Sequence, residues 1–161
     1  MTRQTKPLSR RAAVTSSMLQ AGSIWKRMAE KALAEDGISA SRANLLLLIS
    51  RSGGGVRQVQ LAESLGLASQ SLVRLLDELT AGGHIERKDD PDDRRAKTIW
   101  LTPDGQQLAE RVERVIASLR NRVLRNVDDA DIEAAHRVLD AIVRASVENS
   151  TDHKQIARFD E

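Results

Sequence analysis

The 161-residue chain contains no cysteine and no tyrosine, a single phenylalanine, two tryptophans and three histidines. Without cysteine it can build no disulfide, no thiolate zinc site, no iron–sulfur cluster and no thiol redox switch. His84, His136 and His153 lie far apart in sequence and never at i, i+4 spacing, so neither a metal nor any other cofactor is expected. Aromatic content of 2 % argues against single-stranded nucleic acid, whose bases stack on aromatic side chains, because only Trp25, Trp100 and Phe159 are on offer. Duplex recognition stays open, since it relies on phosphates and base edges. No apolar run approaches the roughly 20 residues of a membrane helix, so no membrane partner is expected. The basic start of the chain precedes no apolar stretch of the secretory kind, and the expected location is cytoplasmic. Catalytic patterns are missing too. There is no Ser-His-Asp arrangement, Gly53 to Gly55 lacks a following Lys-Ser/Thr, and no carboxylate pair sits in an apolar setting, so the chain does not read as an enzyme.

What is present is charge of both signs and helical periodicity. Charged residues make up 30 % of the chain but nearly cancel, at a net +2. Residues 1 to 27 hold six bases and no acid, whereas residues 126 to 161 hold nine acids and four bases. Val14, Met18, Ala21, Trp25, Met28 and Ala32 form a 3-4 stripe, predicting a long helix with one buried face that Gly37 brings to a stop. Ser39 or Ser41 can cap a second helix through Leu45 to Ile49, ended by Ser52-Gly53-Gly54-Gly55. Two short helices follow, about Gln58 to Leu65 and Ser69 to Leu79, joined by a short turn containing Gly66. That is the sequence form of a helix-turn-helix. The period then changes to that of strands over His84 to Lys88 and Ala96 to Leu101, separated by a charged turn. A helix-turn-helix followed by a hairpin is a winged module. Thr102 and Pro103 open a helix with the stripe Leu108, Val112, Val115, Leu119 and Val123, and Asp128 with Asp131 opens a last one carrying Ile132, Leu139, Ile142 and Val143.

The expected architecture is therefore mainly α with a small β wing, a winged helix-turn-helix between long terminal helices. Its boundaries are a basic flexible N-terminus (1–10), N-terminal dimerisation and linking helices (11–55), the winged module (56–102), C-terminal dimerisation helices (103–150) and a polar tail (151–161). Helices whose apolar stripes have nothing but each other to pack on predict a homodimer.

On the second helix of the motif Leu72, Leu75, Leu76 and Leu79 take the inner face, which leaves Ser69, Gln70, Ser71 and Arg74 outward near its start. Hydroxyls, an amide and an arginine suit reading of a major groove, while the same set on another protein would be an ordinary solvated helix face. Arg94 and Arg95 at the hairpin tip suit a narrow minor groove, with Asp92 or Asp93 holding the tip through a backbone amide or an arginine. His84 to Lys97 carries five acids and five bases, so the wing is no bulk basic patch and a solvated loop is its bland alternative. Trp100 reads as core.

Leu61 to Gly66, Leu72-Val73-Arg74-Leu75-Leu76-Asp77, Gly83-His84-Ile85-Glu86-Arg87, Asp92-Asp93-Arg94-Arg95-Ala96-Lys97 and Leu101-Thr102-Pro103-Asp104-Gly105 together resemble the MarR family of transcription regulators. Ser71 to Arg74 and Asp93 to Lys97 look most like its SlyA-type branch. The resemblance implies a homodimer that binds double-stranded DNA at a pseudo-palindromic operator as a repressor, with Gln70, Ser71 and Arg74 in the groove and Arg94 on the wing. Ala68 and Arg57 stand where relatives often carry capping hydroxyls. Relatives that release DNA on binding small aromatic acids suggest an effector crevice, to which Trp25, Arg27, Met28, Arg42 and Leu46 could contribute an apolar wall and a cation. A Trp and a Met at helical spacing also fit a plain core or dimer seam. The alternative function is a winged-helix module that binds protein and no DNA.

Overall fold

The computed structural model describes residues 9–93 and 96–156, without side chains from residue 146 onward. Arg94, Arg95, Phe159 and most of the basic N-terminus lie outside the described residues. The chain runs α1 (Arg10–Ala32), a 3-10 turn (Ala34–Asp36), α2 (Ala40–Arg51), β1 (Val56–Arg57), α3 (Gln58–Leu65), α4 (Ser69–Ala81), β2 (Ile85–Asp89), β3 (Lys97–Leu101), α5 (Pro103–Leu124) and α6 (Asp129–Ile156). This is the expected mainly helical winged fold. One strand was not expected: Val56 and Arg57 pair with Ile99 and Thr98, so the hairpin is the larger part of a three-stranded antiparallel sheet in the order β1-β3-β2. Two residues are too few for an alternating pattern to show in sequence.

Among the described residues, those up to Arg120 form one compact unit and those from Asn121 a second. The first is built on one core. Leu45, Leu46 and Ile49 of α2 meet Leu61, Leu72, Leu76 and Leu79 of the helix-turn-helix, Ile85 and Ile99 of the sheet, and Leu108 and Val112 of α5. The all-round apolar α2 lies in the middle, as such a helix must. The stripe on α1 behaves differently from expectation: Ala29 alone is buried, Trp25 and Met28 are half-buried, and Val14 is exposed. Only the last turns of α1 reach the core of this chain. In the second unit α6 carries Ile132, Val138, Leu139 and Ile142 exposed, while Asp140 pairs with His136 and Arg144 along its own helix.

Local chemistry sets the junctions. Ser39 caps α2 through the Arg42 amide. Gly66, at φ 59°, lets α3 turn into α4. α4 has Ala68 at its N-cap and no side-chain cap, as the missing hydroxyl at that position implied. Thr102 clips the start of α5 to the α4–β2 turn. Its hydroxyl donates to Gly83 O at 2.6 Å and accepts the Gly105 amide at 3.0 Å, and its own amide donates to His84 O at 3.1 Å. The His84 carbonyl consequently fills the space where a Cβ on residue 105 would lie.

Gly105→Ala is therefore expected to destabilise by at least about 1 to 3 kcal/mol, since backbone must move to admit the methyl. Gly22→Ala, in open space on α1, should stabilise by up to about 1 kcal/mol through helix propensity. Paired chemical denaturation of the two variants checks both signs.

Candidate nucleic-acid interface

α3 and α4 pack as the two helices of the motif, and the sheet continues from α4. Leu72, Leu76 and Leu79 are buried, so the opposite face of α4 is presented outward with Ser69, Gln70, Ser71, Val73 and Arg74 exposed. The Arg74 side chain is 83 % exposed, and its Nε donates to Glu78 Oε1 at 3.0 Å, one turn on. Such an exposed i, i+4 pair is worth only about 0.3 to 0.5 kcal/mol, so Arg74 exchanges partners at little cost. Arg87 of β2 bonds Asp77, tying the outer face of α4 to the sheet.

The turn between β2 and β3 is held by a residue that the sequence reading passed over. Asp90 is 5 % exposed. Its Oδ1 accepts the amides of Asp92 and Asp93 at 2.9 and 3.2 Å, and its Oδ2 accepts Arg57 Nε at 2.6 Å. Asp90 thus holds the turn in the way expected of Asp92 or Asp93, by binding backbone amides, and the amides it binds are those of Asp92 and Asp93. The Asp-Pro step at Asp90-Pro91 is a turn-initiating signal that pointed there. Arg57, read from sequence only as a missing cap, leads into α3, and the Gln60 side chain satisfies its amide at 3.0 Å. The Arg57 hydrogen bond, with the Asp92 amide next in weight, lowers the Asp90 carboxyl below the usual carboxylate range.

Trp100 departs from its expected place in the core. Period-two alternation puts Ile99 inward at 0 % exposure, so Trp100 falls on the outer face with Thr98 and is 36 % exposed. Its ring lies on Gly54 and Gly55, its Nε1 donates to Thr98 Oγ1 at 3.0 Å, and Lys88 Nζ stands 5.2 Å from the ring centroid.

The expected effector residues are brought together only in part. A cavity of about 280 Å³ between α1, α2 and α5 is lined by Trp25 with Lys26, Ala29, Ser41, Asn44 and Ile116 among others. Arg27 is exposed and Met28 half-buried without lining it. Leu46 is fully in the core. Arg42 is spent elsewhere, on Gly37 O at 3.2 Å and on Glu78 at 3.8 Å. Lys26, one residue before Arg27, is the cationic residue among those lining the cavity.

With this geometry in hand, likeness to known proteins becomes informative. A family model described as MarR family matches residues 36–96. The crystal structure of transcriptional regulator PA3341 is 34 % identical, with 84 % of this chain and 98 % of that one covered at a TM-score of 0.75. The chain belongs to the MarR family. Two further solved structures share the fold. CouR from Rhodococcus jostii RHA1, solved bound to p-coumaroyl-CoA, is 25 % identical with a TM-score of 0.77 over 85 % of this chain and 96 % of its own. A mutant of MarR from E. coli, solved complexed with operator DNA, is 19 % identical with a TM-score of 0.73 over 86 % of this chain and 99 % of its own. Among the described residues of this MarR-family chain no helix is long and apolar enough to cross a membrane.

Because Asp90 titrates lower folded than unfolded, where the value is about 3.9, its contribution is complete above about pH 4 and fades as pH falls through the lower folded value. Asp90→Asn should lower the melting temperature at pH 7, and the gap to the unmodified protein should narrow at pH 3. A gap independent of pH would contradict the role given to this carboxylate.

Proposed function

We propose that this protein is a sequence-specific, duplex-DNA-binding transcriptional regulator, a cytoplasmic homodimeric repressor acting on a pseudo-palindromic operator. The carrying observation is the start of α4, where Ser69, Gln70, Ser71 and Arg74 stand exposed on a helix anchored by three buried leucines. Arg can bridge guanine O6 and N7, Gln can pair with adenine, and the first-turn amides that Ala68 leaves without a side-chain cap suit phosphate oxygens. Arg94 and Arg95 are assigned to the minor groove beside it. Within the family the residues Ser71 to Arg74 and Asp93 to Lys97 favour the SlyA-type branch. The neighbour solved with operator DNA supports the same use of the fold.

A homodimer is favoured by the exposed row Ile132, Val138, Leu139 and Ile142 on α6, more apolar surface than a lone helix usually leaves to water. Two-fold symmetry would set the recognition helices about 34 Å apart, one turn of duplex. For the effector we assign a single-ring aromatic acid to the cavity at Trp25, with Lys26 as its cation. At about 280 Å³ the cavity is at the small end of ligand pockets. CouR, with its bound aromatic acyl thioester, supports an aromatic acid or its thioester as the class. The competing reading is a winged-helix module that docks a protein through the same α4 face.

Arg74→Ala and Arg94→Ala should each weaken operator binding by about 1 to 3 kcal/mol while the protein still sediments as a dimer. For a duplex binder, log affinity falls linearly with log salt, with a slope near the number of phosphates contacted. Wild-type affinity in gel shift for both variants, or binding indifferent to salt, would favour the protein-docking alternative. A stable monomer at micromolar concentration would refute the dimer.

A further inference from the structure

We infer that Arg57 and Asp90 are a positioning pair that fixes the β2–β3 turn to the helix-turn-helix and so sets the bearing of the wing on a bound duplex. The inference rests on the DNA reading above. Among the described residues Asp90 and Thr98 are the only buried polar or charged ones, so a carboxylate here is kept against the cost of leaving water. Its partners divide into two sets. Oδ1 gathers the Asp92 and Asp93 amides and shapes the turn itself, while Oδ2 reaches across the sheet to the Arg57 guanidinium, 33 residues earlier in the chain. Arg57 is anchored on both sides, paired with Thr98 in the β1–β3 ladder and bonded through its amide to Gln60 in the first turn of α3.

The last rung of the β2–β3 ladder is Asp89 opposite Lys97, and beyond it the turn is held by the Asp90 amide on Ala96 O and the Ala96 amide on Asp93 O. A ribbon of two five-residue strands can swing about its ladder, since isolated hairpins are marginal structures. The Arg57–Asp90 bond ties the far end of the ribbon to the first turn of α3. Both groups stay ionised at neutral pH, because each holds the other in its charged form. The two members of the pair are positioning residues: they act through the turn, and the base and phosphate contacts belong to others.

The test is operator affinity by fluorescence anisotropy, on a duplex selected from random sequences, for Asp90→Asn, Arg57→Gln and Arg57→Lys, each made both in the unmodified protein and in an Arg94→Ala/Arg95→Ala background. With the wing arginines present, Asp90→Asn and Arg57→Gln should weaken binding about tenfold, the scale of one lost specific contact. Arg57→Lys, which keeps the charge, should recover part of the loss. Without the wing arginines the same changes should alter affinity less than about twofold, because the pair would have nothing left to aim. Equal losses in both backgrounds would make the pair a general fold support and overturn the proposal, as would no loss in either. Arg57→Lys retains a cation for Asp90, so it keeps the comparison open if Asp90→Asn does not fold. Failure of the unmodified protein to bind any selected duplex would overturn the DNA reading, and this proposal with it.

Discussion

The winged half of this protein depends on strand β3 being bonded along both edges. Ile99 faces Val56 on one side and Arg87 on the other, its side chain is fully buried, and its carbonyl accepts the Gly55 amide at 3.0 Å. A two-stranded ribbon alone would expose one edge and lack a fixed base. The three-glycine link after α2 makes the third strand possible. Gly54 and Gly55 hold φ of 85° and 69°, and the Trp100 ring occupies the place where side chains on them would lie. The α2 core helix, the short β1 and the wing are thereby one continuous framework. Ile49 of α2 and Ile99 of β3, both fully buried, belong to the one core that joins the helix to the sheet.

Charge is used sparingly on that framework. With a net +2 the protein carries little overall excess of positive charge to attract a polyanion at long range. Its outward cations have acidic neighbours: Arg74 with Glu78, Arg87 with Asp77, Lys97 with Asp89. Such solvated pairs are weak, so a phosphate or base edge can replace the carboxylate at small cost. The buried Asp90 behaves in the opposite way. Removing Arg57 would leave a carboxylate that is 5 % exposed without its counter-charge, so that bond is costly to break. Exchangeable pairs on the outward face of α4 and a firmly held pair at the wing turn are consistent with the proposed recognition of a duplex by a few side chains.

Much of this was legible in the sequence, and the reasons are local. Helix spans follow from 3.6-residue spacing, and their ends from Ser39, Gly66, Thr102 and Pro103, whose effects act within four residues. The exposed set on α4 follows from the leucines at 72, 76 and 79, because one buried face fixes the opposite one. The resemblance to the MarR family rested on this same stretch, residues 56 to 106, most of which falls inside the segment the family model matches.

The sequence by itself therefore determined the order and type of the elements and which face of each motif helix turns outward. Only the tertiary structure decided what depends on register and on distant partners. Trp100 moved from the core to the outer face because alternation along β3 permits either face until Ile99 is seated, and a one-residue slip reverses every side chain. The cavity cation became Lys26 in place of Arg27 because adjacent helix positions differ by about 100° around the axis. Arg57 met Asp90 across 33 residues because the β1–β3 ladder and the β2–β3 turn brought a part-exposed guanidinium within hydrogen-bond reach of a buried carboxylate.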